Sequence, residues 1–143
     1  ATGSGSSGGA ANFDVEATVA QNCIVSTAPV NFGSHGALNA NIDATGTVYV
    51  TCTLATNYAI RLDGGGAAAA PTARRMAKES NSITYGLYRN IARDQPWGDT
   101  EETRAHGTGS GSVQSHTVYG RVAPQTTPPT GVYSDTVVVI VDY

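Results

Sequence analysis

The sequence predicts an all-β domain with the architecture of an immunoglobulin-type sandwich. Three observations carry this. Runs rich in Val, Ile, Thr and Tyr alternate apolar and polar residues with the period of two expected of a half-buried strand, and turns bearing Gly and Pro separate them. Charged residues make up 13% of the 143-residue chain, against roughly 25% in an average soluble domain, while glycine reaches 17. No segment holds a helical period for longer than a turn or two, which excludes a parallel α/β arrangement. The length suits one hydrophobic core.

Residues 1–11 are nearly all Gly, Ser, Ala and Thr and bury too little apolar area to offset ordering, so they read as a tether or an appended leader. Phe13 to Val19 then alternates: Phe13, Val15, Ala17 and Val19 line one face, and Asp14, Glu16 and Thr18 the other. Nothing local pairs with this strand, which either closes its own domain or completes a neighbour's. Cys23 to Phe32, interrupted by Pro29, suits an edge strand or one that switches sheets. Gly33 to Ala44 reads as a loop, and Thr45 to Cys52 as a strand with Val48, Val50 and Cys52 on one face. Tyr58 to Asp63 places Tyr58, Ile60 and Leu62 inward and Arg61 outward. Triple glycine and Pro71 then confine Ala67 to Ala70 to a loop with at most one helical turn.

Ile83 to Arg89 is predicted as one strand, followed by a long polar connection that holds Trp97, Gly107, Gly109 and Gly111. Val113 to Val122 resumes the alternation, and Pro124, Pro128 and Pro129 mark a turn region. Val132 to Tyr143 is the strongest β segment. Its unbroken Val137 to Val141 run predicts burial on both faces or a central position, which calls for a neighbour on each side, and no later segment of the sequence supplies the second. The opening strand plus these six is the expected set.

Composition also bounds function. A net charge of -3 gives no broad basic field, so nucleic acid and anionic membrane are not expected partners. No apolar run approaches the length of a membrane span, and the chain opens on Ala1 without a signal-like segment, which reads as a mature product outside the membrane. Cys23 and Cys52 each sit at the edge of a strand-like run, and neither has the nearby Cys or His of a zinc site. A disulfide between them is expected, with the oxidising compartment this implies.

Catalytic patterns are weak. Gly3 to Gly8 matches G-x-G-x-x-G and Gly5 to Gly9 matches G-x-S-x-G, but neither lies between a strand and a helix, so both are by-products of low complexity. His35, His106 and His116 show no ligand spacing, and Asp94, Asp99, Glu101 and Glu102 form an acidic loop without calcium-loop logic. Arg74, Arg75 and Lys78 read as a solvated basic loop or strand edge, and Trp97 as a core plug or loop anchor in preference to a binding-face aromatic. No catalytic, metal or cofactor residue is assigned, and no enzyme is expected.

A series of local motifs recurs in order: Cys23-Ile24-Val25 with Asn31-Phe32-Gly33, Val50-Thr51-Cys52, Arg75-Met76, Tyr85-Gly86-Leu87-Tyr88-Arg89 and Ala92-Arg93. Trp97-Gly98-Asp99, Gly107-Thr108-Gly109, Val118-Tyr119-Gly120-Arg121 and Gly131 through Val137 continue it. Together they resemble the spore coat protein U domain family, over about residues 12–143. That family includes the pilins of archaic chaperone-usher pili such as the Csu type. The resemblance implies an incomplete immunoglobulin-like sandwich, lacking its last strand and completed by a donor strand from a neighbouring subunit. It divides the chain into a leader (1–11), an N-terminal donor strand (12–20) and a β-sandwich domain (21–143).

The implied donor plugs are Phe13, Val15, Ala17 and Val19, and the implied edge held by a chaperone runs through Val137, Val139, Val141 and Tyr143. The implied partners are identical subunits in a homopolymeric filament, a periplasmic chaperone and an outer-membrane usher. The implied location is the surface of a Gram-negative bacterium, reached through the periplasm, where a pilus supports adhesion and biofilm formation. The alternative is a surface-coat or matrix protein of the same domain family without ordered fibres.

Overall fold

The computed structural model describes residues 8–66 and 70–143, in which nine β-strands form two main sheets and a separate hairpin. Strands β1 (Cys23–Ala28), β2 (Ile42–Cys52), β6 (Gly86–Tyr88) and β8 (Val113–Val122) make one sheet in the order β1-β2-β8-β6. Strands β3 (Asn57–Leu62), β7 (Ala105–Thr108) and β9 (Val139–Asp142) make the second, in the order β7-β3-β9, and β4 (Arg75–Lys78) pairs with β5 (Asn81–Thr84). Every pairing is antiparallel.

The alternation read from the sequence sets the core. Val48, Val50 and Cys52 of β2 and Val118 of β8 face Tyr58, Ile60 and Leu62 of β3 across the sandwich, all buried. At roughly 1.5–3 kcal/mol for each large apolar side chain buried, this seam is the main favourable term in folding. Trp97 is a core plug, as expected: it is fully buried, and its indole N–H donates to the Ile60 carbonyl at 3.0 Å. The disulfide also forms, between residues directly opposite one another at the β1–β2 end, Cys23 and Cys52.

Several boundaries differ from the sequence reading. β2 starts at Ile42, inside the expected loop, because Asp43 pairs there with Arg121 of β8 at 2.7 and 3.0 Å. The expected Ile83 to Arg89 strand is two strands that change partner at Tyr85, whose N–H donates to the Arg74 carbonyl. β4 and β7 were not anticipated. β7 contains Gly107, where a side chain would collide with the Tyr58 phenol, so a residue that reads as a loop signal is the one that lets this strand approach β3. Of Val132 to Tyr143, only β9 is laddered, and it has one neighbour, β3, among the described residues. Residues 1–7 and 67–69, with most of the leader motifs and of the Ala67 to Ala70 run, lie outside the described residues; a 3₁₀ turn follows at Pro71–Ala73.

Candidate functional site

The two sheets leave one side of the sandwich open, between β1 and β9. Each is the edge of its sheet, and neither has a further strand against its free edge among the described residues. A cleft of about 820 Å³ runs between them, walled by Thr27 to Phe32 on one side and by Gly131 to Val137 with Val139 on the other. Core residues Val48, Leu62 and Val118 form part of its floor. The register shows what is missing. Val25 lies directly opposite Val50 and shares its core-side face, yet Val50 is 0% exposed and Val25 44%. A core-side valine stays half in water because, among the described residues, no strand packs beyond β1.

The β9 side is held by two carboxylates, Asp63 and Asp135. Asp63 Oδ1 accepts the N–H groups of Gly65 and Val138, each at 2.9 Å. Asp135 accepts the Gly66 and Thr136 N–H groups at 2.8 and 2.9 Å, and the Tyr85 phenol donates to it at 2.6 Å. Burial, and then this bond to a carboxylate, push the Tyr85 pKa well above its ordinary value. Ala77 and Ser134 exchange both backbone hydrogen bonds, which ties the same wall to β4. Gly65 stands at positive φ, and a side chain there would strike the Asp135 carboxylate.

Arg74 corrects the reading of a solvated basic cluster. It is buried, and its guanidinium donates to the carbonyls of Asp63, Leu62 and Trp97 at 2.9, 3.2 and 2.8 Å. Burial draws its pKa below the usual guanidinium value. It therefore acts as a cross-brace behind the Gly-rich loop. Nothing in its sequence neighbourhood signals this, because the three carbonyls come from residues 11 to 23 positions away.

None of the expected plugs lines this cleft. Residues 8–22 form no strand and are exposed throughout, with Phe13, Val15 and Val19 at 86%, 84% and 86%. The chain thus does not seat Phe13, Val15, Ala17 or Val19 in its own cleft. Val137 and Val139 line the cleft, and both pack, with Val141, against the core. Tyr143 is exposed, and its phenol donates to Asn22 Oδ1 at 3.4 Å. Among the described residues, no group of three or more His, Cys, Asp or Glu could hold a metal ion. His35, His106 and His116 are dispersed, and Glu101 of the acidic loop lies 3.7 Å from Arg104.

The model of the Spore Coat Protein U domain matches residues 10–140. The chain belongs to the spore coat protein U domain family. A relative with curated data, Protein U of Myxococcus xanthus, is 32% identical over 150 aligned positions, covering 93% of this chain and 84% of that protein. Among solved structures, a chain in the crystal structure of the CsuC–CsuE chaperone–tip adhesion subunit pre-assembly complex, from the archaic chaperone-usher Csu pili of Acinetobacter baumannii, superposes with a TM-score of 0.66. It is 25% identical, and the match covers 88% of this chain and 40% of that one.

The family resemblance read from the motifs is thereby established, and the fold is the all-β, immunoglobulin-like one it implied. The family and this fold are structural, not enzymatic. The family match includes residues 10–22, so the exposed arm is part of the domain's sequence pattern although it forms no strand here.

Proposed function

We propose that the chain is a structural subunit of a chaperone-usher surface pilus and polymerises by donor-strand complementation. One observation carries the reading: a single molecule presents both an unpartnered alternating arm, Phe13 to Val19, and an unfilled apolar cleft between two strand edges. An arm that leaves its own cleft empty is available to a neighbour's. Because donor and acceptor are different surfaces, the contact is heterologous and propagates into a filament. At roughly 1.5–3 kcal/mol each, Phe13, Val15 and Val19 contribute about 5–9 kcal/mol before backbone pairing and ordering costs.

In this reading a periplasmic chaperone covers the β1–β9 opening, along Val137, Val139, Val141 and Tyr143, until an outer-membrane usher passes the subunit to the fibre. An exposed pair of strand edges is an aggregation hazard that requires such cover. The pilus stands on the surface of a Gram-negative bacterium and supports adhesion and biofilm. Support comes from the likeness to a chain of the chaperone–tip adhesion subunit complex, of which this chain spans 40%. Among the described residues no helix is long and apolar enough to cross a membrane. Electron microscopy of cells expressing a chain without residues 1–20 is the test: loss of fibres is expected, and normal fibres overturn the proposal.

The family description and the 84% coverage of Protein U favour a second reading, a coat or matrix protein without ordered fibres. Amorphous material in the same micrographs would select it.

A further inference from the structure

The cleft has a positive charge at one end. Among the described residues its lining contains no Lys or Arg, but Lys78 reaches its wall from β4. Met76 lines the cleft, and Lys78, two residues on, shares its face of the strand, while Arg75 lies on the other face. The lysine stem runs across Gly131, where the wall begins: a side chain at Gly131 would collide with Cδ, Cε and Nζ of Lys78. Lys78 is half-buried, the state of a cationic side chain that covers surface with its carbons and keeps its head in water. Arg61, Arg93, Arg104 and Arg121 each face a carboxylate. Lys78 has no ion pair among the described residues, and neither have Asp14 and Glu16, the exposed acids on the face of the arm opposite the plugs. The wall's own acid, Asp135, is already engaged by Gly66, Thr136 and Tyr85.

We propose that Lys78 selects the segment that enters the cleft, by pairing with the acidic face of the arm, Asp14 and Glu16, of a second copy of the chain. The proposal rests on the donor-strand reading and adds to it a charge that discriminates among strands. Apolar plugs alone favour any extended segment of the right period. A free ammonium where the wall begins, with the Asp135 carboxylate farther along, favours a segment whose other face is acidic and holds that acid at the Lys78 end. A slip of one residue turns Asp14 and Glu16 into the apolar cleft, so the same charges penalise the wrong register. At a solvated rim such a pair governs the association rate and its salt dependence more than the final affinity.

Labelled peptides covering residues 10–22, bound to the unassembled full chain, test this by fluorescence anisotropy. Lys78→Glu is expected to weaken binding of the parent peptide about two- to five-fold at low salt, and high salt should erase the difference. A peptide carrying Asp14→Lys and Glu16→Lys should bind the parent chain more weakly by a similar factor and recover on the Lys78→Glu chain, a reversal that a merely structural role for Lys78 does not produce. On a Lys78→Gln chain, which keeps most of the stem, the two peptides should bind alike. Equal binding of the two peptides to the parent chain, undiminished discrimination on Lys78→Gln, or no recovery on Lys78→Glu overturns the proposal and leaves the donor reading intact. If the parent peptide does not bind, or a Val15→Asp peptide binds as well as the parent, the donor reading itself falls and takes the proposal with it.

Discussion

Tyr58 and His116 meet across the seam between the sheets, with the phenol oxygen 2.8 Å from Nε2 and the rings edge to face at 5.8 Å. Their proton assignment follows from a third residue. Gln114 Nε2 donates to the Thr108 carbonyl at 2.9 Å, so its Oε1 faces Tyr58 and takes the phenol proton at 2.6 Å. His116 Nε2 must then be the donor to the Tyr58 oxygen.

Burial lowers the His116 pKa below its ordinary value of 6.5, so the unfolded chain binds the proton more tightly than the folded one. Stability therefore rises with pH through the window between the two values and falls on acidification below about 6.5. Urea denaturation of the full chain at a series of pH values between 8 and 5 should show a falling midpoint, and His116→Gln should flatten that dependence.

Val15→Asp should leave the folded domain intact and abolish assembly. The residue is 84% exposed in its own chain, so its replacement should change monomer stability by no more than about 0.5 kcal/mol. Size-exclusion chromatography and thermal melting measure the two effects separately. A variant that still polymerises argues against the donor assignment.

Arg74→Met should cost about 3 kcal/mol or more, because it strips a donor from two buried carbonyls, Leu62 and Trp97, and from the part-buried Asp63 carbonyl at once. Arg74→Lys should rescue only part of this, as a single ammonium lacks the planar fork that reaches all three. Chemical denaturation of the two variants gives the ordering.

Gly46→Val should close one end of the cleft and destabilise the fold by about 1–3 kcal/mol. Even a Cβ at this position would stand 2.7 Å from a Val30 methyl and 2.8 Å from the Ala28 carbonyl. The readouts are the melting temperature and the binding of a synthetic peptide covering residues 10–22, and both should fall.

Reduction, or the Cys23→Ser, Cys52→Ser double variant, should lower stability by roughly 3–4 kcal/mol on the chain-entropy model, given a sequence separation of 29. It should also loosen the arm's root at Asn22, visible as faster amide exchange at Thr53.

What was legible in the sequence was whatever depends on local period. β8 was read to its exact ends, and the core faces of β2 and β3 followed from Val48, Val50, Tyr58 and Ile60, because a strand with one dry face must alternate. β4 and β7 escaped because short strands carrying Arg75, Lys78 or Gly107 owe their existence to partners, not to pattern. The change of partner at Tyr85 was invisible for the same reason. The Val137 to Val141 run did call for two neighbours, and among the described residues there is one, β3; the cleft lies where the other would be. Arg74 could not be read at all, since a buried guanidinium is defined by distant carbonyls.

Asp63 and Asp135 give the cleft a further property. Both hold their wall by its backbone, Asp63 taking the Gly65 and Val138 N–H groups and Asp135 those of Gly66 and Thr136, so the shape of the opening is set by bonds within the chain. A mould that is already set asks nothing of its own backbone when a segment arrives, and the only chain that must become ordered is the guest. The same stiffness has a cost in solitude. On the donor-strand proposal, an opening of this kind accepts any extended apolar strand, and a protein built this way would need custody from the moment it folds.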